Sequence, residues 1–155
     1  MATNIGTGPQ DIPLNQFLGE MAFMDNLYKQ GTFVATCDNG VTLTGNSDLL
    51  QYVKIGNLVT VMGQIQVNSS NGGQGLVINN LPYEIYNAGD ASGYATGAVR
   101  LYTADMASDH QYVVVITDVG TTNLIFQGVR DNLVSQSLGA TDNGYYMFSI
   151  TYMTS

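Results

Sequence analysis

Few residues in this chain could do chemistry. Its 155 residues include one histidine, His110, one cysteine, Cys37, and twelve carboxylates. Neither His110 nor Cys37 lies in a motif that pairs a nucleophile with its base, and a lone histidine at the start of a strand reads as a surface residue. Glycoside hydrolysis would need two acids facing each other across a groove, and the sequence singles out no such pair. The densest set of metal-capable groups is Asp105, Asp109 and His110, but it lacks the spacing and the bend glycine of a calcium loop. No catalytic residue, metal or cofactor is expected. A single cysteine cannot form an intrachain disulfide, which suits folding in a reducing cytoplasm.

Tyrosine is the more telling residue type, with ten copies beside five Phe and no Trp. Tyr86, Tyr94, Tyr102 and Tyr112 fall in or beside loops of the middle third. Exposed tyrosines among amide side chains suit sugar- and protein-binding surfaces, since they stack and hydrogen-bond at low entropic cost. The expected ligand contacts are therefore Tyr86, Tyr94 and Tyr102, with Asp105, Asp109 and His110 from the same stretch. The alternative for each tyrosine is simple packing on a strand face.

These residues must be positioned by strands. The first thirteen residues lack periodicity and hold two prolines, which reads as an extended arm. Leu14, Phe17, Leu18, Met21, Met24, Leu27 and Tyr28 then recur every three or four residues, which predicts a short helix capped by Asp11 and stopped at Gly31. Beyond Gly31 the period becomes two. Val59, Val61, Ile65 and Val67 alternate with polar residues from Leu58 to Val67, and a Gly56-Asn57 turn joins that strand to one at Leu50 to Ile55. Further strands are expected at Phe33 to Cys37, Leu76 to Ile78, Ala95 to Tyr102, Gln111 to Thr117, Leu124 to Val129 and Tyr145 to Tyr152. In the last, Tyr146, Phe148, Ile150 and Tyr152 share a face. Asp38-Asn39-Gly40, Asn71-Gly72-Gly73 and Asp142-Asn143-Gly144 read as tight turns. The fold class is all-β: an antiparallel, jelly-roll-like β-sandwich over residues 31–155, preceded by an arm and short helix in residues 1–30.

Charge narrows the partners. Charged residues make up 10 % of the chain, against roughly 25 % in typical domains, and the net charge is -8. Lys29, Lys54, Arg100 and Arg130 are the only bases and are scattered, so nucleic acid is not a partner. No apolar run is long enough for a membrane-spanning helix, no secretory signal is visible, and the abundant Val, Ile, Leu and Tyr argue against disorder.

Two segments resemble a known family. Ile5-Gly6-Thr7-Gly8-Pro9-Gln10-Asp11-Ile12-Pro13-Leu14-Asn15-Gln16-Phe17-Leu18-Gly19-Glu20-Met21-Ala22-Phe23 is similar to a linker and docking segment of tail-fibre and other appendage proteins of tailed bacteriophages, particularly marine phages and cyanophages. Tyr52-Val53-Lys54-Ile55-Gly56-Asn57-Leu58-Val59-Thr60-Val61-Met62-Gly63, with Leu76 to Tyr83 and Phe148-Ser149-Ile150-Thr151-Tyr152, resembles the β-domain that closes many such fibres. The sequence departs from long fibres in having no extended shaft between these two parts.

The resemblance implies a virion structural protein, assembled in the host cytoplasm, homotrimeric, and possessed of no enzymatic activity. Residues before Gly31 would bind other virion proteins, and the β-domain would meet a host-surface glycan. Leu14, Phe17, Leu18, Met21, Met24 and Tyr28 would anchor and trimerise as a short central bundle, the alternative being that this stripe packs on the chain's own sandwich. A capsid decoration or head-fibre protein is the neighbouring reading. A glycan depolymerase using Asp105 or Asp109 is the enzymatic one.

Overall fold

The computed structural model describes residues 27–45, 47–89, 93–104, 110–130 and 135–155. The expected arm and helix, with Leu14, Phe17, Leu18, Met21 and Met24, lie outside the described residues, as do Asp105 and Asp109. Among the described residues eleven strands run in chain order: β1 (Tyr28–Val34), β2 (Thr36–Cys37), β3 (Thr42–Leu43), β4 (Leu49–Ile55), β5 (Leu58–Ser69), β6 (Val77–Asn79), β7 (Thr96–Tyr102), β8 (His110–Asp118), β9 (Asn123–Arg130), β10 (Ser135–Ser137) and β11 (Tyr145–Met153).

All pairings are antiparallel, and the hydrogen-bonded order is β1-β4-β5-β11-β7-β8-β9-β6-β2, with β10 on β9 and β3 on β5. The two ends of this path, β1 and β2, are separated in sequence by Ala35 alone. One extended segment thus pairs with β4 through its first half and with β6 through its second. Covalent continuity at Ala35 closes the sheet like a barrel, and the Ala35 N–H donates to the Asp48 carbonyl at 2.7 Å. Closure shields the edges that an open sheet of this low charge would leave exposed.

The turns follow their residue types. Ile55 and Leu58 are register partners across Gly56-Asn57, and Gly56 takes a positive φ of 57°, which a two-residue hairpin requires and glycine adopts without strain. Asn39, Asn71 and Asn143, each in one of the expected tight turns, also have positive φ.

Alternation sorts the side chains. Leu50, Val59, Val61, Ile65, Tyr146, Phe148, Ile150 and Tyr152 are buried, and their sequence neighbours on the same strands point the other way. Phe126 from β9 stacks edge-on against Tyr146 and Phe148, with centroids at 5.9 and 5.3 Å. Both core tyrosines satisfy their hydroxyls: Tyr152 donates to the Tyr83 carbonyl at 3.0 Å, and Tyr146 accepts from the Thr141 N–H at 2.9 Å. The neighbouring strands β7 and β11 approach so closely at Gly97 that an added Cβ would lie 2.4 Å from the Ser149 carbonyl oxygen.

One expectation changes at the N-terminal side. Tyr28 is not the last member of a helical stripe. It opens β1, pairing with Ile55, and Gly31 lies within the strand opposite Tyr52 rather than ending a helix. Cross-strand pairing outweighs the local three-four spacing here, because Gly31 leaves room for the Tyr52 ring, whose nearest atom would sit 3.0 Å from an added Cβ. The strand therefore starts three residues before Gly31.

Candidate functional site

Strand β7 is the ruler for the expected ligand residues. Tyr94 precedes it and Tyr102 ends it, which puts them about 26 Å apart at a rise of ~3.3 Å per residue. The stretch from Tyr86 to Tyr112 is therefore divided between two ends of the sheet.

Tyr86 and Tyr94 belong to the end where β11 finishes. The Tyr86 N–H donates to the Met153 carbonyl at 2.8 Å, and Gly93 fits so tightly beneath Tyr86 that an added Cβ would lie 2.2 Å from its carbonyl oxygen. Thr117, fully buried, ties this loop to β8: its Oγ1 accepts from the Ala95 N–H at 2.7 Å and donates to the Gly93 carbonyl at 3.1 Å. Leu27, where the described chain begins, is at the same end, its carbonyl accepting from the Gly56 N–H at 2.7 Å.

Tyr102 stands at the opposite end. It is 56 % exposed and directly opposite Tyr145 on β11, with ring centroids 5.8 Å apart and planes inclined at 55°. Tyr145 in turn pairs with Gln66 on β5. Arg100 is exposed two residues before Tyr102, on the same face, and Tyr112 is exposed near the start of β8. Two aromatic rings, an amide and a guanidinium are thus gathered on one outward face. Such a surface stacks on a flat apolar ligand face and hydrogen-bonds around its rim. Sequence reasoning misses Tyr145 because its partner is more than forty residues away along the chain.

His110 opens β8. It pairs with Arg130 next to an irregularity in the β8–β9 register that precedes Tyr112. Its ring lies against the backbone of Gly128, where an added Cβ would come within 2.5 Å of Nδ1. Both ring nitrogens are covered and make no hydrogen bond. Beside the register shift the imidazole is laid over Gly128 with its nitrogens covered, while the residue as a whole stays partly exposed.

Cys37 is half-buried, and burial, reinforced by the neighbouring Asp38 carboxylate, pushes its thiol up to about 12. It is a poor nucleophile near neutral pH. Tyr83 is also pushed above its ordinary value, by burial and by Tyr52, whose ring meets it edge-on at 5.7 Å, while Lys54 Nζ lies 5.4 Å from the Tyr83 centroid. Among the described residues no group of three or more His, Cys, Asp or Glu is arranged to hold a metal ion, and no helix is long and apolar enough to cross a membrane.

On the outer side of β1, β4 and β5 lies an open groove of about 410 Å³, lined by Gln30, Gly31, Thr32, Gln51, Tyr52, Val53 and Met62. Its walls are uncharged.

No protein-family model matches the chain, and no curated protein matches it. Among solved structures, the crystal structure of the Dettilon tailspike protein (gp208) is similar in fold, with a TM-score of 0.53 and 12 % sequence identity over 84 % of this chain. The matched region spans 24 % of that longer chain, so the likeness is one of fold, to about a quarter of a tailspike protein.

Proposed function

We propose that this chain is a structural protein of a tailed-bacteriophage virion: a short tail fibre or knob, homotrimeric, that anchors through its N-terminal residues and presents its β-domain for attachment to the host surface. The closed sheet is taken as a flattened, jelly-roll-like sandwich. One observation carries the reading. The end of the sheet where the N-terminal segment enters, at Leu27, and the end bearing Tyr102 and Tyr145 are separated by the length of β11. That separation amounts to about 27 Å. A domain tethered to a particle at the first end holds the tyrosine pair outward.

The ligand that suits Tyr102, Tyr145, Arg100 and Gln66 is a host-surface glycan, whose C–H faces stack on aromatic rings and whose hydroxyls meet amide and guanidinium donors. The domain acts as a binder in this reading and carries no catalytic step. The covered nitrogens of His110 and the raised thiol of Cys37 support that assignment. The fold shared with a tailspike protein supports placing it on a virion.

The test is an array of capsular and lipopolysaccharide oligosaccharides probed with the full chain and with a Tyr102→Ala/Tyr145→Ala variant. The expected result is selective binding that the variant loses while its fold is kept. Equal binding by both proteins would remove the tyrosine pair from the proposal, and an array with no binding would remove the glycan.

A further inference from the structure

The outer face of the sheet has a second feature that glycan attachment does not use. Tyr28, Ile55, Leu58 and Met153 are direct register partners across β1, β4, β5 and β11, so they form a single row over four strands. All four are exposed, at 46, 57, 51 and 46 %. Val34 and Leu49, also register partners, repeat the pattern at the other end of β1, exposed at 50 and 57 %. The residues between the two rows are neutral, such as Thr60 and Thr151, whose hydroxyls hydrogen-bond at 2.8 Å. By strand alternation no residue that shares the side of Tyr28, Ile55, Leu58 and Met153 on these four strands is charged; Lys29, exposed beside Tyr28, belongs to the other side of β1.

We infer that this face is where copies of the chain meet. The inference rests on the homotrimer proposed above and assigns its contact surface. Six large apolar side chains at about half exposure, in two rows with neutral residues between, present roughly 600 Å² in all, most of the ~800 Å² that one partner gives a standard interface. Charge selects a second copy as the occupant. Each chain carries a net charge of -8, so copies repel wherever their carboxylates approach. This face brings no carboxylate to the contact, and gathered around a threefold axis it packs beside the same face of the other two copies without burying an ion. The groove beside Met62 and Gln51 gives the face relief into which a neighbour's side chains fit.

The experiment is the molar mass of the full chain in solution by light scattering. The native chain is expected at three times 16.6 kDa, and an Ile55→Asp/Leu58→Asp variant at the monomer mass with an unchanged far-ultraviolet circular dichroism spectrum. Tyr112→Asp, which places a charge on an exposed residue of β8 outside the face, should stay oligomeric. A double variant as oligomeric as the native chain overturns this interface and leaves the homotrimer standing. A native chain that runs as a monomer overturns both and leaves the face to a different partner. Should the double variant not fold, Leu58→Cys in the otherwise native chain, treated with a flexible bismaleimide, gives linked copies on a denaturing gel, and a single unlinked band overturns the inference.

Discussion

Tyr102 and Tyr145 face each other across β7 and β11, their ring centroids 5.8 Å apart on the outer side of a sheet whose inner side packs their neighbours Leu101 and Tyr146 into the core. Both rings point away from the core, so removing them is expected to cost little stability, within about 1 kcal/mol for a surface pair. If each ring stacks on a sugar, the double alanine variant should bind its glycan at least tenfold more weakly. Parallel titrations of binding and thermal unfolding separate the two effects.

The start of β1 makes a sharp distinction between two truncations. Removing residues 1–26 leaves every residue of β1 in place. Removing residues 1–30 takes Tyr28, Lys29 and Gln30 out of their pairing with Ile55, Lys54 and Val53. The shorter deletion should yield a folded β-domain that no longer enters particles. The longer should lower the melting temperature as well. Thermal unfolding of the two purified proteins, with immunoblots of purified virions, checks both halves, and normal incorporation of the shorter deletion would sink the anchoring role.

Replacing Thr117 with valine preserves volume and deletes the hydroxyl that links Ala95 and Gly93. A buried N–H left without a partner costs about 1–3 kcal/mol. That corresponds to roughly 2–12 °C in melting temperature for a chain of this size. Since the loop it holds is the one bearing Tyr86 and Tyr94, glycan binding at the other end should be unaffected. Calorimetry with a binding assay reads both.

Cys37 yields a pH prediction. Its thiol titrates at about 12 in the folded protein, against an ordinary value of 9.0, so folding disfavours the thiolate. The unfolded chain therefore releases its proton first, and stability from this group is complete below about pH 9 and declines as pH rises towards 12. Cys37→Ser, which cannot ionise in that window, should lose less stability between those values in alkaline denaturant titrations. A maleimide should label the native thiol slowly at pH 7 and the denatured thiol at the rate of a free cysteine.

The strands with two-residue alternation are legible in the sequence because burial on one face imprints that period. Val59, Val61, Ile65 and Val67 are all fully buried, as are Tyr146 and Tyr152 among the face-sharing residues of β11. β3 and β10 are not legible, since two residues, or three polar ones as in Ser135–Ser137, carry no period to read. Tyr28 misleads because Leu27 and Tyr28 continue a helical spacing, and only the non-local partner Ile55 reveals the strand. Of the expected ligand residues, Tyr102 is gathered with Tyr145, while Tyr86 and Tyr94 are at the other end and the His110 ring is laid over Gly128. Position along a sheet depends on which distant strand pairs with which, and no local pattern encodes it. The same holds for the row of Tyr28, Ile55, Leu58 and Met153, each of which is unremarkable on its own strand.

The placement of β11 has a consequence for biosynthesis. This strand, near the end of the sequence, is inserted between β5 and β7, so those two strands are not paired with each other and have no ladder of their own to hold their order while the chain is still being made. A ribosome must release Tyr145–Met153 before the sheet can join, and nascent chains stalled upstream of that point should be unable to present either the tyrosine pair or the completed apolar row. Completion of the closed sheet is thereby reserved for molecules whose translation has run through β11.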